Sequence, residues 1–269
     1  LKLALLTEHF TADADGAEAV AVALSARGHE LLVCAEHGST VDSIRLELGP
    51  LALAPAQIIN WRPELVIDWG LHAPAHIHHL RAGTHAEQLR LSLQRQPQLL
   101  YWLKRFDAAV FPKNRRIRRR ENLLLTASNT HFLAVSQLVA AQIQRTAAVP
   151  DQRIEILHSG VDPERFTPER IQQQWRRKIR RKLDLADDDV VFLFAGDNLE
   201  LNNFALLARL FANTALHSGS SSAPARLVVL GNCQPPLTAP WLRYAAATTQ
   251  PEKYYAAADA FVLPTWYDP

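Results

Sequence analysis

Five histidines fall between positions 72 and 85: His72, His76, His78, His79 and His85. Asp68 stands just before them and Glu87 just after. Imidazole changes its proton balance near neutrality and is also a common metal ligand. The flanking carboxylates lie outside the cluster and no cysteine falls within it, so the ligand spacing of a metal centre is lacking and no metal is expected. A histidine acting as a general base, or one hydrogen-bonding a polar substrate, suits the pattern better. A set of surface and packing histidines is the competing explanation, and the sequence leaves both open.

Other stretches could attract anions. Asp15-Gly16-Ala17-Glu18 precedes an apolar-periodic run. Amides at a helix N-terminus favour negative charge, and a glycine there admits close approach. A plain helix start with acidic residues explains the same letters. Lys113–Arg120 holds Lys113, Arg115, Arg116, Arg118, Arg119 and Arg120. Trp175–Lys182 is equally basic, and Ile171, Trp175, Ile179 and Leu183 recur every fourth residue through it. An apolar stripe on a cationic helix can rest on an anionic membrane, each basic residue adding up to ~1 kcal/mol. It can also be a solvated helix packing its stripe on the core.

Short apolar runs must position these groups. Leu1–Thr7, Leu31–Ala35, Leu65–Asp68, His131–Val135, Arg153–Leu157, Val190–Ala195, Leu227–Leu230 and Ala260–Leu263 are predicted strands. Asp15–Arg27, ending at Gly28, and a segment near Phe204–Thr214 are predicted helices. Strands alternating with helices predict parallel βαβ units in an open α/β sheet, which binds ligands beyond the carboxyl ends of its strands. The loops to search are therefore Thr7–Gly16, Trp69–His85, Ser136, Ser159–Asp162, Gly196–Asn203, Gly231–Pro236 and Pro264–Pro269. The turn signals Asp162-Pro163 and Thr167-Pro168 place a domain boundary near Phe166–Arg170.

Composition narrows the class. The chain has 269 residues, 48% hydrophobic and 21% charged, which fits a folded chain and excludes global disorder. No apolar run approaches the ~18 residues of a membrane span. A formal charge of +2 argues against bulk nucleic-acid binding. The two cysteines, Cys34 and Cys233, exclude a disulfide scaffold and fit a reducing compartment. The absence of methionine and the stop at Tyr267-Asp268-Pro269 suggest a fragment or a truncated product.

Several phrases occur in order. Phe132-Leu133-Ala134-Val135-Ser136 is followed by Ile156-Leu157-His158-Ser159-Gly160-Val161-Asp162 and by Phe166-Thr167-Pro168. Val191–Gly196 then enters a loop, and Ala258-Asp259-Ala260-Phe261-Val262-Leu263-Pro264 precedes Tyr267-Asp268-Pro269. Together they resemble the retaining glycosyltransferases of the GT-B fold, group 1 or family GT4, along the whole of 1–269. Asp68–His85 is similar to the members that act on lipopolysaccharide or other cell-surface glycans.

The resemblance implies two Rossmann-like parallel-sheet domains, the second incomplete. Residues 1–168 would form the acceptor-side domain and 169–269 a partial nucleotide-sugar domain. It implies transfer of a hexose-type sugar from a nucleotide-diphosphate sugar to a cell-surface glycan or lipid-linked acceptor, with retention and without a further cofactor. His79 or His85 would sit by the reacting sugar. Asp68, His72 and Ser136 would lie on the acceptor side. Gly16, Gly196, Asn198, Glu200, Asn202 and Asp268 would lie near the donor diphosphate. The family's Arg/Lys pair at the diphosphate is replaced here by Glu200 and Asn202, and the carboxylate expected after Asp268 lies past Pro269. An acid opposite a diphosphate exchanges attraction for repulsion, which costs about 100-fold or more in rate. A degenerate, non-catalytic relative or inactive fragment is therefore the alternative expectation. A cytoplasmic location, peripheral to the inner membrane face through the two basic runs, follows from cytosolic nucleotide sugars; no nucleic acid partner is expected.

Overall fold

The computed structural model describes residues 1–10, 16–94, 112–217 and 224–267. The chain divides into two compact units, Leu1–Ser159 and a second that begins at Gly160. Each is built on its own parallel sheet.

The first unit contains strands β1 (Lys2–Phe10), β2 (Glu30–Gly38), β3 (Arg45–Leu48), β4 (Leu65–Asp68), β5 (Ile77–Leu80), β6 (His131–Ala134) and β7 (Ile154–Ile156). They pair in the order β3-β2-β1-β4-β5-β6-β7. Both faces of the central strands are covered, so their apolar runs are continuous rather than alternating. Leu3 and Leu5 pack with Leu31 and Val33 against Ala17 and Ala21 of helix α1 (Ala17–Ala26). Ala4 and Leu6 pack with Leu32 and Cys34 against Ala54 and Ile58 of α2 (Ala54–Trp61) on the other face. Burial raises the Cys34 thiol to about 11, with the Glu47 carboxylate adding to the effect. Three further helices are α3 (His85–Gln94), α4 (Pro112–Thr126) and α5 (Gln137–Ala147). The order of chain travel reverses between β1 and β4, and such a switch point leaves a crevice beyond the strand ends.

Three strands escape the apolar-run reading. β3 is a half-polar edge strand, and β5 carries two histidines among its four residues. The Trp69–His85 segment expected as one loop therefore contains a strand, and His78 and His79 are on it.

The second unit contains α6 (Pro168–Lys182), β8 (Val190–Ala195), α7 (Phe204–His217), β9 (Ala225–Gly231), β10 (Leu242–Ala246), α8 (Glu252–Ala257) and β11 (Ala260–Phe261). Its sheet runs β10-β9-β8-β11, all parallel. β10 is the third strand outside the predicted apolar runs. Cys233 is exposed in the loop after β9.

Thr167-Pro168, expected as a breaker, opens α6 instead: Thr167 is the cap and Pro168 occupies the first turn, where its missing N–H is harmless. Two residues of the predicted stripe on this basic helix, Ile179 and Leu183, face inward. Ile179 and Leu183 are buried with Val191, Leu193 and Tyr254. Arg180 is 1% exposed. It donates to the carbonyls of Ala257, Ala186, Asp187 and Asp189 at 3.0–3.1 Å and to the Asp259 carboxylate at 2.9 Å. Arg176 holds the other Asp259 oxygen at 2.5 Å. Trp175 lies between Lys178 and Lys253, whose Nζ atoms are 4.8 and 3.7 Å from its ring centre. Ile179 and Leu183 are thus taken up by the unit's own core, and Arg177, Lys178 and Arg181 form the solvated basic face.

Candidate functional site

A cleft of about 580 Å³ opens at the β1–β4 switch point of the first unit. Glu8 of β1, the Trp69–His72 turn after β4 and the Arg81–Gly83 turn after β5 line it, with α3 and α4 closing the far side.

Asp68 organises this place. It is the last residue of β4 and fully buried. Its Oδ2 accepts from the backbone N–H of His72 at 2.7 Å and of Ala73 at 3.2 Å, and from His78 Nδ1 at 3.0 Å. Its Oδ1 accepts from His72 Nδ1 at 2.6 Å. Burial alone would raise its pKa. The hydrogen bonds and charges of His72 and His78 overturn that and hold it at about 2, so the carboxylate is ionised. A buried charge needs such a full set of donors.

His72 lines the cleft. Its Nε2 faces Glu8 Oε1 at 3.5 Å. Burial lowers its pKa, but the bond and charge of Asp68, with Glu8, carry it above the ordinary histidine value, while Arg120 opposes them. Its ring lies directly against the Gly70 Cα, where any Cβ would collide with the imidazole. Gly70 is therefore the residue that lets the ring fold back onto Asp68.

The other histidines have different surroundings. His78 is fully buried and stacked on Phe132, with ring centres 5.8 Å apart; its Nδ1 also reaches the Gly70 carbonyl at 3.1 Å. His79 is buried under Trp69, ring centres 4.2 Å apart. Desolvation, then the Arg81 charge, pushes its pKa down to about 4, which leaves it neutral. His76 is exposed and its Nδ1 accepts from the Val66 N–H at 2.9 Å. His85 opens α3; its N–H and that of Ala86 donate to the buried Glu121 carboxylate at 2.5 and 3.1 Å. A carboxylate of the chain itself thus occupies that helix start. His85 also lines the cleft. Among the described residues, no group of three histidine, cysteine or carboxylate side chains is arranged to hold a metal ion.

The remaining candidates lie elsewhere. Ser136 follows β6 and caps α5, its Oγ accepting from the Val139 N–H at 3.3 Å. Gly16 has φ 78° at the start of α1, and a Cβ there would meet no described atom within 4 Å, so the left-handed backbone is what requires glycine.

In the second unit, Gly196, Asn198, Glu200 and Asn202 all follow β8. Asn198 Oδ1 accepts from the Leu201 N–H at 2.8 Å, shaping the turn. The Asn202 side chain lies over Gly196, where a Cβ would displace it. Glu200 is exposed. Gly231 at the end of β9 approaches the Gly196 carbonyl so closely that a Cβ would lie 2.5 Å from it. Asp197 Oδ1 accepts from the Asn232 N–H at 2.6 Å, joining the two strand-end loops. This loop shows two carboxylates and no cation. Asp268 lies outside the described residues.

Sequence comparison yields no matching family model and no curated relative. Solved structures do match. WaaG, a glycosyltransferase involved in lipopolysaccharide biosynthesis, superposes with a TM-score of 0.77 at 15% identity, over 98% of this chain and 75% of that one. A glycosyltransferase from Rickettsia africae gives 0.65 at 12% identity, over 98% and 73%. A trehalose-6-phosphate synthase gives 0.58 at 9%, over 99% and 78%. The chain has the GT-B fold. In GT-B terms, the seven-stranded sheet is the first lobe and carries the histidine cleft, and the four-stranded sheet is the described part of the second.

The sequence brought Asp68, His72 and His85 forward, and the fold gathers all three around one cleft. What it missed is Glu8, Gly70 and Glu121. Glu8 lies some 60 residues from its partner, so only strand pairing brings it near. Gly70 has significance only once the His72 ring is seen beside it.

Proposed function

We propose that the chain is a glycosyltransferase moving a sugar from a nucleotide-diphosphate sugar to a cell-surface glycan or lipid-linked acceptor, with retention, as a member of group 1 or family GT4. The carrying observation is a cleft of mixed polar and apolar lining at the switch point of the first lobe of a GT-B fold, beside a buried carboxylate. A strand-end crevice lined by a few oriented polar groups suits a polyhydroxyl ligand. The acceptor is assigned to the first domain, 1–168, with Asp68, His72 and Ser136 on its side, and His79 and His85 nearer the reacting sugar. The donor is assigned to 169–269, with Gly196, Asn198, Glu200 and Asn202 as its diphosphate-side residues, and Gly16 and Asp268 are assigned to the donor by the family resemblance alone. No cofactor is invoked.

Incubation of the full chain with radiolabelled nucleotide sugars and bacterial lipid-linked glycan extracts tests this. Labelled glycan that retains the donor's anomeric configuration supports the reading; absence of transfer with every donor removes it. A second reading, a degenerate binding relative, is favoured by Asp197 and Glu200 in the loop where a diphosphate needs cations. Calorimetric titration with nucleoside diphosphates separates the two: saturable, diphosphate-dependent binding supports the enzyme. A peripheral, cytoplasmic site of action rests on the exposed Arg115, Arg116, Arg118 and Arg119 of α4 and the solvated face of α6. No helix among the described residues is long and apolar enough to cross a membrane. Flotation with anionic but not neutral liposomes is the expected result.

A further inference from the structure

We infer that Arg120 makes the first unit's cleft a site for an acidic sugar, one that carries a phosphate or carboxylate group, and that its guanidinium holds that oxyanion. That the sugar is the acceptor rests on the glycosyltransferase reading; the oxyanion site rests on the cleft alone. At about 580 Å³ the cleft is in the size range of small-molecule sites. Trp69, Leu71 and Ile117 give it apolar surface for a sugar ring, and Arg81 and Arg120 give it positive charge.

The charges of the lining decide the sign of the ligand. Its two carboxylates already hold groups of the chain. Glu8 faces His72 Nε2 at 3.5 Å, and buried Glu121 accepts the N–H groups of His85 and Ala86. Asp68, behind the lining, is taken up by His72, His78 and two backbone N–H groups. Arg120 differs from all of these. It is exposed in the cleft and makes no hydrogen bond or ion pair among the described residues. Arg81 adds a second positive charge from the turn after β5, and Asp68 and Glu8 hold His72 toward its protonated form.

Helix α4 separates this arginine from its basic neighbours. Ile117, Arg120 and Glu121 are three and four residues apart, so they share the helix face that closes the cleft. Arg118 and Arg119 fall on other faces and lie outside the lining. Low-dielectric walls concentrate the field of a charge in a cleft, and a guanidinium meets phosphate or carboxylate with two parallel N–H bonds. A charge so placed separates an acidic sugar from a neutral one of the same shape. Its field reaches His72, whose protonation it opposes, so the guanidinium stands near the turn after β4. A bound oxyanion would cancel that opposition.

Calorimetric titration of the full chain with glucose 6-phosphate, glucuronate, glucose and inorganic phosphate tests the site. At least one of the two acidic sugars should bind saturably, about 10-fold or more tighter than glucose and than inorganic phosphate. Arg120→Gln should weaken that binding about 10- to 100-fold, while Arg27→Gln, at the exposed arginine that closes α1, leaves it unchanged. Glucose or inorganic phosphate binding as tightly as both acidic sugars, an unchanged affinity in Arg120→Gln, or no saturable binding of either acidic sugar overturns the inference. A second measurement follows the His72 ring signals by NMR across pH. Arg120→Gln should raise the His72 midpoint without any ligand, and the tighter acidic sugar should raise it in wild type. A midpoint indifferent to both overturns the inference. Should the variant not fold, the wild-type preference and the ligand-induced rise decide. Saturable, Arg120-dependent binding in a chain that transfers no sugar from any donor supports the site and removes the glycosyltransferase reading alone. Transfer to acceptor glycans with the wild-type KM in Arg120→Gln supports that reading and overturns the site.

Discussion

Replacing Asp68 by asparagine removes one charge from a fully buried position of the first unit. The carboxylate sits at about 2 in the folded chain against an ordinary 3.8. That difference is worth about 2 kcal/mol at neutral pH. The sign follows from the depressed value: the contribution is whole above the unfolded pKa and disappears as pH falls from about 4 toward 2. Asparagine can still accept the N–H groups of His72 and Ala73, provided its NH₂ faces His72 Nδ1. The loss should therefore be about 2–3 kcal/mol, short of the full penalty of orphaned buried donors. Urea unfolding of wild type and variant, followed by far-ultraviolet circular dichroism, measures it. The two curves should differ clearly at pH 7 and approach one another near pH 2–3. A difference under about 0.5 kcal/mol at pH 7, or one that is constant with pH, would refute the assignment of Asp68 as the ionised hub.

Gly70→Ala should expel the His72 ring from its seat, costing about 1–3 kcal/mol in the first unit; a crystal structure of the variant showing an unmoved ring would sink this. Arg180→Leu strips four carbonyls and Asp259 of their buried donor and should destabilise the second unit by about 3–5 kcal/mol, whereas Arg177→Leu on the exposed face should change it by under about 0.5. Thermal melts of the two variants give the comparison.

The α/β plan was legible because buried parallel strands are apolar on both faces. Leu65–Asp68 and Val190–Ala195 coincide with β4 and β8 for that reason. β5 was hidden because two of its four residues are histidines, one held by Asp68 and the other packed on Trp69. Their polarity reads as a loop, and only their tertiary partners make them strand residues. The cationic helix shows the converse. Its period of four was visible, but whether Ile179 and Leu183 met lipid or core depended on β8 and α8, far along the chain. The histidine cluster announced chemistry without saying which ring mattered. That choice is made by Asp68 Oδ1 and by the bare Cα of Gly70.

The two thiols differ so much that the native chain carries a ready-made attachment point. Cys34, packed in the first core and held at about 11, stays unreactive to maleimides at neutral pH, while Cys233 stands in solvent two residues beyond Gly231. A fluorophore coupled there, with no mutation at all, would sit at the carboxyl end of the second sheet, beside the loops that follow β8 and β9.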